Sequence, residues 1–178
     1  MMNRSAFALA TVLFLGGHAA AGPPDQDQRP RKKLPDGVYA VRRDGLKEKD
    51  LLPLKDGEVL VVHGHRYLKD GEKEPPRFLV VRSAPDVTLD LAAGPKAVKE
   101  GGEVVRILLK LRPKAAAALE RLTRDNPGRQ VTIVLGGEVV TVHKVREVIK
   151  GGDVQITSCA AGAAGYLLQQ LEARRKDK

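Results

Sequence analysis

Residues 104–157 read VVRILLKLRPKAAAALERLTRDNPGRQVTIVLGGEVVTVHKVREVIKGGDVQIT. The hydrophobic period changes several times within this run, and each change marks a new element. Val105, Ile107, Leu109 and Leu111 alternate, which is the two-residue period of a strand with one buried face. Pro113 then suits a first helical position, where its missing N–H costs nothing. Leu111, Ala115, Ala118, Leu119 and Leu122 follow helical spacing, and Asn126-Pro127-Gly128 ends the helix. Val131 to Leu135 reads as the next strand, and Gly136-Gly137 forms a two-residue turn into Val139 to Val142. Val142, Val145, Val148 and Ile149 return to helical spacing, predicting a second helix that stops at Gly151-Gly152. Val154 and Ile156 mark a further strand. The expected order is therefore β-α-β-β-α-β, the ferredoxin-like split arrangement. Downstream, Ala160, Ala164, Leu167, Leu168 and Leu171 place an extra C-terminal helix after it.

Upstream the texture differs. Asp-Gly pairs punctuate the chain at Asp36-Gly37, Asp44-Gly45, Asp56-Gly57 and Asp70-Gly71, a preferred turn chemistry. Val38 to Val41, Val59 to Val62 and Phe78 to Val81 lie between them as strand-like runs. A short β-meander is expected here. The uneven spacing of the turns excludes a solenoid repeat. The fold class is α+β, with a small β-rich region at 37–92 preceding the split β-α-β-β-α-β domain at 93–178.

The N-terminus sets the compartment. Met1 to Arg4 is short and positive, Ser5 to Gly17 is almost unbroken apolar sequence, and Ala19-Ala20-Ala21 offers small residues. That layout predicts a secretory signal peptide over 1–21, cleaved near Ala21. The apolar run falls short of the ~20 residues that span a bilayer. Residues 22–36 are rich in Pro, Gln, Asp and Arg and read as a flexible linker. The protein is expected to be exported, periplasmic or extracellular.

The net charge is +9, which favours acidic partners. Nucleic acid is excluded by the export signal and by the shortage of aromatic stacking platforms, with three Phe, three Tyr and no Trp. Two basic clusters, Arg29 to Lys33 and Arg174 to Lys178, offer peripheral contact with an anionic membrane surface. A structural envelope protein held by these termini is one alternative reading.

Candidate chemistry is sparse. His63-Gly64-His65 sets two imidazoles on one strand face, the start of a metal site for an alternative metal-dependent enzyme. The third ligand would have to be His143 or a dispersed carboxylate. Cys159 with His143 is the one formal nucleophile–base pair, and no local motif surrounds either residue. As the lone cysteine, Cys159 forms no intramolecular disulfide and reads as a small buried residue. Gly101-Gly102 and Gly151-Gly152 lack the context of a phosphate cradle and are turns. The expectation is a non-enzyme with no catalytic, cofactor or metal residues and no cofactor. A sheet edge that accepts an extended peptide needs no side-chain motif, and it is the favoured means of action.

Two stretches carry a family resemblance. Leu122-Thr123, Asn126, Gly128-Arg129, Ile133-Val134-Leu135, Gly137 and Val139 resemble the "LT…N.GK…IVLDG.V" run of the SecD family. Ile149, Gly151, Val154 and Ile156-Thr157 resemble its next segment, and Leu167-Leu168 to Leu171 its closing helix. Together they resemble the head subdomain of the large periplasmic domain of SecD and the fused SecDF, over about 94–173. Gly136 stands where the family usually has Asp, and Thr141-Val142-His143 replaces its small-small-Pro step. Ser158 takes the place of a Gly and is positioned to cap the last helix. The resemblance implies the head fold and contact with exported polypeptides or envelope translocation machinery. It does not carry over the family's transmembrane motor.

Overall fold

A computed structural model describes residues 33–64, 75–99, 105–159 and 161–176, without the side chains of 157–163 and 174–176. The expected signal segment, most of the expected linker, His65, Asp70-Gly71, most of the Arg29 to Lys33 cluster and the side chains of the Arg174 to Lys178 cluster lie outside the described residues. So do the side chains of Ser158 and Cys159. Ten strands and two α-helices are described: β1 Gly37–Ala40, β2 Arg43–Gly45, β3 Glu58–His63, β4 Arg77–Arg82, β5 Val87–Thr88 and β6 Lys96–Lys99. They continue with β7 Val105–Lys110, α1 Pro113–Asp125, β8 Gln130–Leu135, β9 Glu138–Lys144, β10 Asp153–Cys159 and α2 Ala161–Lys176. A 3-10 turn over Glu48–Leu51 links β2 and β3.

The α+β class holds, and the connectivity differs from the sequence expectation. Three antiparallel sheets form, ordered β5-β1-β8-β9, β10-β7-β6 and β2-β4-β3. Strand β1 leaves the expected meander and pairs with β8, Val38 opposite Ile133 and Ala40 opposite Val131. The division drawn at 92/93 therefore runs through the first sheet, where β1 and β5 lie alongside β8 and β9. Of the described Asp-Gly pairs, only Asp56-Gly57 makes a turn before a strand; Asp44-Gly45 lies inside β2.

Alternation along β1 and β8 explains why the first sheet is covered on both faces. Val38 and Ala40 point with Val131, Ile133 and Leu135 into a core that includes Leu119, Leu122, Ile107, Ile156, Leu167 and Leu171. Tyr39, Val41 and Val134 point the other way, toward Val61, Leu79 and Val81 of the β2-β4-β3 sheet. A strand buried on both faces reads as continuous apolar sequence, as Val131-Thr132-Ile133-Val134-Leu135 does. Its one polar member, Thr132, is satisfied by donating to the Thr141 carbonyl at 2.8 Å.

The predicted second helix does not form, so the ferredoxin-like split β-α-β-β-α-β order is not realised. Strand β9 runs on to Lys144, which pairs with Gln130, and Val140 enters as an extra residue where the register shifts. Beyond it, Val145 N–H donates to Arg129 O at 2.8 Å, and its carbonyl accepts from Gly128 at 2.9 Å. The buried Thr123 hydroxyl accepts from Ile149 N–H at 3.0 Å and donates to Leu119 O at 2.9 Å. These sideways bonds use the groups a helix would have bonded internally. The segment's β-branched residues also favour extended backbone.

Two glycine sites were legible. Gly136 and Gly137 have φ of 63° and 83°, the doubly left-handed turn of a tight hairpin. The Gly136 N–H donates to Asp36 Oδ1 at 2.9 Å, so a carboxylate from the start of β1 serves a turn that lacks its own Asp. Gly152, at φ 75°, brings its backbone against α1; a Cβ there would lie 2.5 Å from that of Ala116.

Candidate interaction edge

Strand β6 borders the β10-β7-β6 sheet and, among the described residues, pairs with β7 alone, Lys96 opposite Leu108, Ala97 opposite Ile107, Val98 opposite Arg106 and Lys99 opposite Val105. All four of its residues are exposed. Among the described strands it is the one with no buried or half-buried position. On an antiparallel edge, every second residue turns both its N–H and its C=O away from the neighbouring strand. The outer rim of β6 therefore presents backbone donors and acceptors to whatever approaches.

Facing side chains follow from the register. Antiparallel partners share a face, so Lys96 and Val98 stand on the side of Leu108 and Arg106. Val98 is 42% and Leu108 36% exposed, two large apolar side chains on the same face and diagonal to each other across the strand pair. Lys110 follows on β7, held 2.9 Å from Asp153 of β10. The opposite face of β7 is buried: Val105, Ile107 and Leu109 pack with Leu167 and Leu171 of α2. The edge thus hangs from a rigid, core-anchored strand.

Three of the other sheet borders are modified. Strand β10 shifts register between Ile156 and Cys159, and β9 carries the Val140 irregularity. Strand β2 is flanked by the 3-10 turn, whose Leu51 is buried. Bulges and covers of this kind limit strand addition.

The sequence candidates are dispersed. His63 ends β3 opposite Arg77, and His65 lies outside the described residues. His143 sits on β9 opposite Val131, its Nε2 3.0 Å from Thr141 Oγ1, and burial pulls its pKa below the usual imidazole value. Cys159 ends β10. No group of three His, Cys, Asp or Glu residues converges among the described residues. The residues that matter for an edge, Lys96 to Lys99, escaped sequence reading because four residues with two lysines carry no clear period. Their one signal was punctuation, Gly94-Pro95 before and Gly101-Gly102 after.

Comparison with known proteins fits this architecture. The family model described as SecDF, P1 head subdomain, matches residues 67–173. The chain belongs to this family. The match starts before the 94–173 stretch of the resemblance and takes in β4, β5 and β6 as well as β7 to β10. A protein translocase subunit SecD from Acidaminococcus fermentans is 37% identical over 68 residues, covering 38% of this chain and 16% of that relative. Its SecD resemblance is thus confined to a small part of the relative's length. A crystal structure of SecDF in a super-membrane-facing form superposes with a TM-score of 0.51 at 22% identity, covering 81% of this chain and 19% of that one. A second SecDF structure, of a membrane component that enhances protein export, gives 0.48 at 23% identity over 77% of this chain and 61% of that one. Strands β1 to β3 precede the family match, so β1, which completes the sheet around β8, is contributed from outside it.

Proposed function

We propose that this protein is an exported, non-enzymatic head-subdomain protein that binds extended polypeptides by strand addition to β6, in a role connected with protein export. Family membership supports the export connection. The exposed rim of β6 carries the binding reading, because an added strand is recognised chiefly through main-chain hydrogen bonds and so needs little sequence in common among its clients. Val98 and Leu108 supply an apolar strip for alternate side chains of the added strand.

Lys96 and Lys99 discourage a competing use of the same edge. Two copies of β6 paired antiparallel about their midpoint would set Lys96 opposite Lys99 twice, and like charges directly opposite are destabilising. An incoming acidic or neutral strand meets no such repulsion. Partners are therefore polypeptides or an envelope protein offering an extended segment, on the far side of the export signal at 1–21.

The test is site-specific photocrosslinking of the full chain to a permanently unfolded, reduced polypeptide. A photoreactive residue at Val98 is expected to capture it, and one at the exposed Lys114 of α1 is not. Equal capture at both positions, or none at Val98, would overturn the β6 assignment.

A further inference from the structure

Half-hidden leucines are ordinary, but Leu46, Leu52 and Leu54 are 63%, 50% and 36% exposed and all stand in the excursion between β2 and β3. Leu51, buried at 4%, is the excursion's anchor. It packs where Gly45 has no side chain; a Cβ there would lie 3.7 Å from it. The excursion precedes residue 67, so the family match does not account for it.

Its position is fixed by charge. Arg43 donates to the Pro53 carbonyl at 3.4 Å and to Glu58 at 2.6 Å, and Lys55 N–H donates to the same Glu58 carboxylate at 2.9 Å. The Lys55 N–H and the Arg43 guanidinium hold Glu58 below the usual carboxylate range. The leucine segment is thereby tied to the start of β3. Beside it lies a shallow hollow of about 360 Å³ lined by Arg42, Arg43, Lys55 and Arg82 with Asp56 and Glu58. Arg43 and Glu58 neutralise each other, and among the described residues Arg82 pairs with Asp86 at 3.7 Å. Arg42, Lys55 and Arg82 then stand against two carboxylates, Asp56 and the Asp86 beside Arg82.

We propose that this excursion docks on an anionic phospholipid surface, with Leu46, Leu52 and Leu54 entering the acyl boundary and Arg42, Lys55 and Arg82 holding headgroup phosphates. Exposed apolar side chains next to excess cation suit an interface that is apolar on one side and anionic on the other. A free phosphate would use the cations and leave the leucines without a role. The leucines are also strung along a loop in which Lys47 and Lys49 alternate with Glu48 and Asp50, so each is able to find its own depth in a fluid layer.

Co-sedimentation of the full chain with vesicles tests this. Binding is expected to phosphatidylcholine mixed with phosphatidylglycerol and not to phosphatidylcholine alone. R42Q/R82Q should weaken it roughly fivefold for each cation removed, and added salt should weaken it further. L52S/L54S should weaken it on the order of tenfold, with an unchanged melting temperature because neither side chain is buried. Wild-type binding by L52S/L54S, together with displacement by inorganic phosphate, would overturn the proposal in favour of a soluble-anion site. Loss confined to R174Q/R175Q/K176Q would overturn it in favour of the basic C-terminus.

Discussion

Strands β8 and β6 share a backbone conformation and little else. β8 buries five of its six residues, between two neighbouring strands and with a core on each face, whereas β6 buries none of its four and has a single neighbour among the described strands. In β8 the five buried side chains pack into the cores and the backbone pairs with a strand on each side. In β6 the same kinds of groups are turned outward, where they are available to a partner. The difference shows how one small fold holds two kinds of strand: one enclosed by the chain, where burial on both faces specifies the structure, and one at a sheet margin, where the side chains stay exposed.

Breaking the enclosed side should cost most. Ile133, 3% exposed and paired with Val38, sits in the larger core. Ile133→Ala is expected to destabilise by about 3 kcal/mol in urea unfolding, through lost transfer energy and the cavity left behind. Next comes His143, on the strand beside β8. Burial lowers its folded-state pKa from 6.5, so the unfolded chain binds its proton more readily. Its contribution is complete above 6.5 and is lost as pH falls through the folded-state value. Between about pH 7.5 and pH 5 the melting temperature should fall more steeply for the native chain than for His143→Gln. The smallest effect belongs to β6. Val98→Ser should change unfolding free energy by less than about 0.5 kcal/mol, as exposed substitutions do. A loss comparable with that of Ile133→Ala would show that β6 is structural and end the contrast.

Much of the scaffold was legible because its side chains repeat with the period of their element. Leu119 and Leu122 on α1, Leu167 and Leu171 on α2, and the Gly136-Gly137 turn all stand where spacing and turn chemistry placed them. The 142–149 segment misled for a definite reason. Val142, Val145, Val148 and Ile149 match helical spacing, but that spacing does not reveal whether backbone groups bond within the segment or sideways. Here Arg129 and Thr123 claim them. The edge was less visible still. Exposure of Lys96 to Lys99 follows from what does not pack on them, and absence of a neighbour leaves no pattern in the residues themselves.

By itself, the sequence determined the α+β class, the helices α1 and α2, the hairpin at Gly136-Gly137 and the resemblance to the SecD head. These depend on contacts close along the chain or on side-chain periodicity, both written in residue order. Tertiary structure alone decided that β1 crosses from the first half to pair with β8, that Asp36 serves the turn at Gly136, and that β6 is left exposed at the margin. Each is a pairing or an omission between segments far apart in the chain. Backbone hydrogen bonds are chemically alike at every residue, so only the folded arrangement selects which of them meet.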